Sequence, residues 1–442
     1  MKFIRYSILT AAVLLSLNAC NPFRTDLQTD PNYASVESVQ TNATKGQLDN
    51  LAIGQFSLAR NALATYNQVV GTIGKELFNF NSTESRWMTE LNGLRPIDNS
   101  AFYNTATTGF GLPVRQANII IASVAATNTV TDVQKSGYLG MANTFKGLAY
   151  LYMLNAQGTN GVRLSIENPY KPSKAATYAE SLTGIAKILD DGAAQLDKAG
   201  TSFAFATPSG FAGFNTPTTF KQFNRAIALR VAIYQADWAK AATLLPQTFY
   251  NATGDLTAGP KHTFSATPPD FANPLINTAT VRIVAVQKLF DDIEAGDKRL
   301  AKVRVLATPA TFSSGVTYTT KYIQNLYNTA NDPVPIIRNE ELVLIAAEIA
   351  AQQGNTAEAT RNINIVRANA GLAVYAGATT KDALINAILK ERLYSLWYEG
   401  HRWVDMRRYN KLGEIYLPVT GMKVLERLEK PVAEVNWDLQ NP

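Results

Sequence analysis

The sequence predicts an all-α protein in which tetratricopeptide-like helix pairs support a loop-rich ligand-binding half. Several segments repeat apolar residues at every third or fourth position, the spacing that places side chains on one face of a helix. Two such segments form a unit of 34 residues between Arg338 and Gly371, the length of a tetratricopeptide repeat. Long stretches rich in Pro, Gly, Thr and Asn, which have no helical period, separate the helical segments.

Residues 1–19 are predicted to be a lipoprotein signal peptide. Lys2 and Arg5 supply its positive start, and residues 8–17 are an apolar run too short for the roughly 20 residues that span a bilayer. Cys20 follows and is the only cysteine of the chain, so it has no partner for an intrachain disulfide. Attachment of diacylglycerol to Cys20 explains its position best; a chance cysteine after an ordinary secretory signal is the alternative.

Residues 20–38 are predicted to be the lipid anchor and tether, because they contain two prolines and no regular period. Residues 39–442 are predicted to form a single body, with an N-terminal part at 39–260 and a C-terminal part at 261–442. The formal charge of +6 comes from basic residues scattered among acidic ones, with no polybasic run. This charge pattern gives nucleic-acid binding no support.

The first half of the body contains four segments with a helical period. Helices are predicted at residues 47–66, 132–157, 178–198 and 220–234, and Asp237 is predicted to cap the next helix. Three glycines lie inside the second helix, where each costs about 1 kcal/mol relative to alanine. They are Gly137, Gly140 and Gly147. Close approach of another helix is the expected compensation.

The clearest helix pair is the 34-residue unit. Gly354 is predicted to end its first helix and Gly371 its second. Asn355 is predicted to cap the second helix, with Glu358 completing a capping box. Small side chains at the facing positions are expected to let the two helices approach closely. These are Ala346, Ala350 and Ala359.

Three long stretches without a helical period, at residues 76–112, 200–218 and 251–331, are predicted to be loops. Loops of this length in a compact protein usually carry function. Short strands are predicted within the third stretch, at residues 303–305 and 316–323. We therefore expect the ligand to bind in this loop-rich half.

Residues 391–408 combine many charges with many large apolar side chains. A helix is predicted to be interrupted at Gly400 by a left-handed backbone. Buried guanidinium groups need carboxylate or carbonyl partners, so we interpret this stretch as an ion-paired structural clamp. Its members are Glu399, Arg402, Asp405 and Arg407, with Glu391 as a further carboxylate. The alternative is an acid/base set formed by Glu399, His401 and Asp405.

The same stretch, Glu-Arg-x-x-x-Leu-x-x-Glu-Gly-His-Arg-Trp-x-Asp-Met-Arg-Arg, resembles the C-terminal signature of the RagB/SusD family. Ala347-Glu348, Gly354-Asn355 and Asn364-Ile365-Val366-Arg367 resemble a second family segment, and Asp30-Pro31-Asn32 resembles the segment after the anchor. The resemblance implies a SusD-like α-helical fold, an outer-membrane lipoprotein facing the cell surface, and a TonB-dependent β-barrel transporter of the SusC/RagA kind as partner.

Catalytic motifs are missing from the sequence. The two histidines, His262 and His401, are about 140 residues apart, and no Gly-x-Ser-x-Gly, dinucleotide-binding or Walker motif is present. The carboxylate pairs Asp190-Asp191 and Asp291-Asp292 lie beside lysines and are interpreted as solvated faces. We therefore predict no catalytic residues, no metal ligands and no cofactor, and leave a bound calcium ion undecided.

The side chains best suited to bind a sugar lie in the predicted loops. Aromatic rings stack on the apolar faces of sugars, while Arg and Asn hydrogen-bond to hydroxyls. The first choice is the cluster of Arg86, Trp87, Arg95 and Tyr103. The second choice is Tyr318 and Tyr322 of the central stretch. The alternative for Trp87 is a packing role beneath the loop.

Together these features predict a non-catalytic outer-membrane lipoprotein that captures a nutrient and delivers it to the transporter. A glycan is the favoured nutrient, and a peptide is the alternative. A tetratricopeptide scaffold lipoprotein that binds only proteins is the first rival function. A surface hydrolase is the second, and the lack of a catalytic motif counts against it.

Overall fold

The computed structural model describes residues 36–168, 171–268 and 270–441. The predicted signal peptide, Cys20, Asp30-Pro31-Asn32 and the tether as far as residue 35 lie outside these ranges. The α-helices of the described residues are α1 (Val36–Asn42), α2 (Lys45–Asn61), α3 (Leu63–Ile73), α4 (Arg86–Thr89), α5 (Thr105–Thr108), α6 (Gly111–Ala126), α7 (Asp132–Gln157), α8 (Tyr178–Leu196), α9 (Pro217–Tyr234), α10 (Trp238–Leu244), α11 (Gln287–Asp291), α12 (Asn339–Gln352), α13 (Thr356–Asn369), α14 (Lys381–Ser395), α15 (Arg402–Arg408) and α16 (Val432–Gln440).

The described strands are few. They are β1 (Leu77–Asn81), β2 (Lys261–His262), β3 (Val281–Ala285), β4 (Val303–Ser313), β5 (Thr317–Gln324) and β6 (Val334–Pro335). Four of them form an antiparallel sheet in the order β1-β3-β5-β4, and β2 pairs with β6. The predicted short strands are confirmed as the longer hairpin β4–β5. The helix-rich fold predicted from the periodicity is confirmed.

The packing of α7 against α8 explains two of the three glycines inside α7. A Cβ atom added at Gly140 would lie 2.5 Å from Cγ of Leu196, and one added at Gly147 would lie 2.7 Å from Cδ2 of Leu189. Both leucines belong to α8, so the predicted close approach of a second helix is confirmed. Gly137 instead faces the ring of Phe203, in the loop after α8.

The predicted helix ends agree with the structure at most positions. Gly354 and Gly371 end α12 and α13 with the left-handed backbone that glycine favours, each at φ 79°. The side chains of Asn355 and Asp237 cap α13 and α10. The predicted capping box is wrong in its second half, because the Glu358 carboxylate binds Arg361 on its own helix instead. The helix predicted at 47–66 is divided at Ala62 into α2 and α3.

The carboxylates of the predicted clamp do bind arginines, as expected of buried charges. Asp405 accepts hydrogen bonds from Nε of Arg392 at 2.6 Å and from Nε of Arg408 at 3.0 Å. Glu399 binds the guanidinium of Arg338 at 2.7 Å, although Arg338 lies far away in the sequence. Each of these ion pairs is buried, so the ion-paired interpretation holds for Glu399 and Asp405.

The two other clamp residues have different partners from those expected. The Arg407 guanidinium donates to the backbone oxygens of Glu426 and Asn155, at 2.9 and 2.7 Å, and stacks over the ring of Trp403. Burial lowers the pKa of the Arg402 guanidinium, and the nearby charges of Glu76, just before β1, and Asp405 oppose this effect. Arg407 therefore binds other parts of the chain, and the described ion pairs of Asp405 are with Arg392 and Arg408 instead of Arg402 or Arg407.

The alternative acid/base set is not assembled. His401 faces Glu341, with 3.7 Å between Nε2 and the nearest carboxylate oxygen, and Glu341 is itself bound by Arg230 at 2.6 Å. Burial lowers the pKa of His401 to about 4, so its imidazole is neutral at pH 7. Glu399 and Asp405 are each neutralised by arginines. These side chains hold helices together and present no site to a substrate.

Acid is expected to destabilise the protein through this buried network. Burial raises the pKa values of Glu341 and Asp405, but nearby arginines outweigh it and lower both to about 2. The unfolded chain, with carboxyl pKa values of about 4, binds more protons between about pH 4 and 2, so stability is lost as the pH falls through this window. The depressed pKa of His401 acts in the same direction below about pH 6.5.

Urea unfolding at pH 7, 5 and 3 tests this expectation. We expect the free energy of unfolding to fall by several kcal/mol between pH 5 and 3, whereas between pH 7 and 5 the loss at His401 is opposed by Glu76, whose pKa burial raises to about 8. A free energy that does not change between pH 5 and 3 would mean that these carboxylates are not held ionised by their arginines.

Candidate functional site

The first predicted ligand cluster is mostly packed inside the protein. Trp87 lies in α4, is 6% exposed and packs on the ring of Phe102 with 4.9 Å between centroids. Tyr103 is fully buried, and its hydroxyl donates to the Glu90 carboxylate at 2.6 Å. The packing alternative for Trp87 therefore describes its position in this structure. The expectation that these rings form an exposed stacking surface is corrected.

The second predicted pair is also buried. The Tyr318 hydroxyl accepts a hydrogen bond from the backbone N–H of Gln287 at 2.8 Å, and its ring packs on Phe78. The Tyr322 hydroxyl donates to Asp291 at 2.9 Å. Alternating side chains of β5 point to opposite faces of the sheet, and these two point into the core. Neither ring has a face open to a sugar in this structure. Their assignment as ligand residues stays a prediction.

The two arginines of the first cluster do reach the surface. Arg86 is half-buried, binds Glu84 at 2.7 Å and Asp98 at 3.3 Å, and lies over the ring of Phe102. Arg95 is exposed. The tip of the β4–β5 hairpin contacts the end of β1, just before this cluster. There the Ser314 hydroxyl donates a hydrogen bond to the backbone oxygen of Asn81 at 2.7 Å. The structure thus brings the two predicted stretches together, but around a packed interior.

An open groove lies elsewhere, between α6 and α16. Its volume is about 960 Å³, and α1, α7 and the segment after α7 complete its walls. We call it the α6–α16 groove. The side chains that give it chemical character are Gln40, Arg115, Asn118, Lys146, Glu167 and Trp437. A cavity of about 200 Å³ adjoins it and shares Thr108, Gly111 and Arg163 among its lining residues.

The groove combines an accessible aromatic ring with hydrogen-bonding side chains. Trp437 of α16 is half-exposed, and α6 contributes the exposed Leu112 and Arg115. Arg163 and its partner Glu434, separated by 2.5 Å, lie at the junction with the adjoining cavity. Sequence reasoning missed Trp437, Arg115 and Asn118. Two features of the sequence could have indicated them. Trp437 is an aromatic residue near the C-terminus, and Arg115 and Asn118 are polar residues three positions apart in an apolar helical segment.

The comparisons with known proteins agree with the sequence signature. Residues 307–440 match the family model described as the SusD family. A SusD-like protein of Formosa agariphila is 29% identical over 126 residues, which are 26% of this chain. The chain spans about a quarter, 25%, of the length of that curated relative.

The C-terminal part of the chain is thus similar to the SusD/RagB family.

Solved structures extend the likeness in fold to nearly the whole chain. Surface glycan-binding protein A from Bacteroides thetaiotaomicron has a TM-score of 0.69 at 13% identity, covering 91% of this chain and 99% of that one. A SusD superfamily protein from Bacteroides vulgatus has a TM-score of 0.69 at 16% identity, covering 90% and 98%. At these identities the likeness shows a shared fold.

The Glu167 carboxylate of the groove is stabilised in its charged form. Burial raises the pKa of the Glu167 carboxyl, but hydrogen bonds from Ser165 and Lys146 outweigh it, so its pKa lies below the ordinary value. A glycosidase needs a general acid whose pKa is raised. Glu434 is ion-paired with Arg163. Glu167 thus remains a charged hydrogen-bond acceptor at pH 7.

Within residues 36–168, 171–268 and 270–441, no group of three or more His, Cys, Asp or Glu side chains could hold a metal ion. None of the described helices is both long and apolar enough to cross a bilayer.

Proposed function

We propose that this protein is an outer-membrane lipoprotein that captures a nutrient glycan in the α6–α16 groove. It then delivers the glycan, without turnover, to a TonB-dependent β-barrel transporter. One observation carries the choice of site: the groove places a half-exposed indole among charged and amide side chains. Ligand sites in proteins are concave, largely apolar and provided with a few oriented polar groups.

The chemistry of the groove suits a sugar. The indole of Trp437 can lie against the apolar face of a sugar ring, while Arg115, Asn118 and Gln40 can hydrogen-bond to its hydroxyls. A capture protein must also release its ligand. We therefore expect micromolar to millimolar dissociation constants, equivalent to about −8 to −4 kcal/mol.

Two further observations support a glycan and a tethered position. Surface glycan-binding protein A from Bacteroides thetaiotaomicron, which shares the fold with a TM-score of 0.67, was solved in complex with laminarihexaose. The lipoprotein signal and Cys20 would hold the body at the membrane beside its transporter. Tethering makes the encounter with the transporter intramolecular and raises the local concentration of captured ligand.

Replacing Trp437 by alanine is expected to weaken glycan binding about tenfold or more, because truncating a central aromatic contact typically costs over 1 kcal/mol. Calorimetry against a panel of neutral and acidic oligosaccharides measures this change. Tyr416→Ala is the matched control, since Tyr416 is 45% exposed and does not line the groove. Thermal melts verify that both variants are folded.

Three results would contradict parts of this proposal. If Trp437→Ala and the wild type bind the best glycan equally, the α6–α16 groove is not the binding site. If the panel shows no glycan binding while peptides bind, the nutrient is a peptide. If glycans are cleaved during the titration, the non-catalytic assignment is wrong.

A further inference from the structure

We propose that the glycan bound in the α6–α16 groove is an acidic one, whose carboxylate is recognised by Arg115 with assistance from Asn118. This inference rests on the proposed function and specifies its substrate class.

All but one of the groove's cations are neutralised by carboxylates of the protein. Lys146 binds Glu167 at 3.0 Å, and Arg163 binds Glu434 at 2.5 Å as well as Asp438. Lys430, in the adjoining cavity, binds Asp438 at 2.8 Å. Each of these charges already has its partner inside the protein.

Arg115 is different. It lines the groove, its side chain is exposed, and it makes no ion pair or side-chain hydrogen bond within the described ranges. An arginine carries its charge at any physiological pH and presents a planar fork of donors that matches a carboxylate in two parallel hydrogen bonds. Among the residues that the structure describes, Arg115 is therefore the positive charge of the groove that is available to a ligand.

Asn118 adds a second unmatched group on the same wall. It lies three positions after Arg115 on α6, so the two side chains are neighbours on the helix surface. Neither its amide nitrogen nor its amide oxygen has a hydrogen-bond partner in the described part of the chain, although both atoms are enclosed. An enclosed amide without partners is unfavourable. Rotation of this side chain into the groove that it lines would give it a ligand carboxylate or hydroxyl to bind.

The aromatic ring of the groove suits an acidic sugar as well. Trp437 belongs to another helix that lines the same groove, α16. A uronic acid fits this arrangement, because its ring has an apolar face for the indole and its carboxylate meets the guanidinium.

The test compares acidic oligosaccharides with their methyl esters, which keep the sugar but lack the charge. The probes are oligogalacturonates, oligoglucuronates and sialyl oligosaccharides, each titrated beside its ester at pH 7. We expect at least one acid to bind the wild type about tenfold more tightly than its ester, the usual effect of a charge-assisted hydrogen bond. Arg115→Gln should abolish this preference while leaving the affinity for the ester nearly unchanged.

Two further variants separate recognition from other effects. Arg304→Gln removes the same charge from an exposed arginine of β4 that lies outside the groove, so it should keep the preference if the effect is local. Asn118→Leu should weaken binding of the preferred acid without lowering the melting temperature, because it removes an amide that has no partner in the folded protein.

The outcomes distinguish the inference from the proposed function. If glycans bind but no acid binds more tightly than its ester, or Arg115→Gln keeps the preference, acidic recognition is overturned and glycan capture stands. If Arg304→Gln loses the preference as well, the net charge of the protein and not Arg115 causes it. If no oligosaccharide of either class binds, the proposed glycan capture fails.

Discussion

Replacing Asp405 by alanine is expected to lower the free energy of unfolding by about 3–5 kcal/mol, the usual effect of breaking a buried ion pair. Asp405 is 3% exposed and binds both Arg392 and Arg408. Arg408 keeps Glu348 as a second carboxylate partner, whereas Asp405 provides the ion pair of Arg392. The variant would leave the Arg392 charge buried and uncompensated, which is why a large loss is expected.

Two companion variants make this prediction specific. Asp191→Ala removes a carboxylate from an exposed pair with Lys187, and it should change stability by about 1 kcal/mol or less. The double variant Asp405→Ala/Arg392→Met removes the stranded charge as well, and it should recover part of the lost stability. Urea unfolding of the three variants beside the wild type gives the free energies.

Ligand binding provides the complementary measurement. Asp405 does not line the α6–α16 groove, so the folded fraction of Asp405→Ala should keep the wild-type affinity for glycan. A variant of normal stability that had lost binding would instead place this stretch in the ligand site. A loss of stability as small as that of Asp191→Ala would show that the pair is not a structural clamp.

Replacing Cys20 by alanine, behind an ordinary secretory signal in place of residues 1–19, is expected to release the protein from the membrane almost completely. Cys20 is the only cysteine and follows the predicted signal peptide directly. One acyl chain binds a membrane weakly and reversibly, and stable anchoring takes two. A diacylglycerol supplies two chains, so losing it removes the main attachment.

Fractionation in a host without the transporter measures this release, because the transporter could otherwise retain the unlipidated protein. Phe23→Ala behind the native leader is the control, since it changes a neighbouring residue and keeps Cys20. It should stay with the outer membrane. If the Cys20→Ala protein also sediments with outer membranes while remaining folded, lipidation is not what holds it there.

Local features of this protein were predicted well because they depend on residues only a few positions apart. The cap formed by Asn355 needs nothing beyond the next three residues. The left-handed turn at Gly400, observed at φ 78°, follows from the low steric cost of this conformation for glycine. The close approach at Gly140 and Gly147 was also foreseeable, because glycines inside a long helix need a compensating contact.

The partners of the buried charges were decided only by the tertiary structure. The composition of residues 391–408 required carboxylates for its arginines, but not a particular pairing. Glu399 binds Arg338 and Glu391 binds Arg299, each far away in the sequence, whereas Arg407 is satisfied by backbone oxygens. These choices depend on which helices meet, and local spacing does not encode that.

The residues of the candidate ligand site also could not be predicted from local sequence. An aromatic residue in a loop has the same local sequence whether its ring is covered or open, so the sequence favoured Trp87 and Tyr318 for sugar stacking. In the folded chain, Phe102 and Phe78 cover those rings, while Trp437 lies half-exposed in the groove. The sequence alone determined the helix pairs and carried the resemblance to the SusD/RagB family. The exposure of each ring is set by packing between distant segments, and only the tertiary structure decided it.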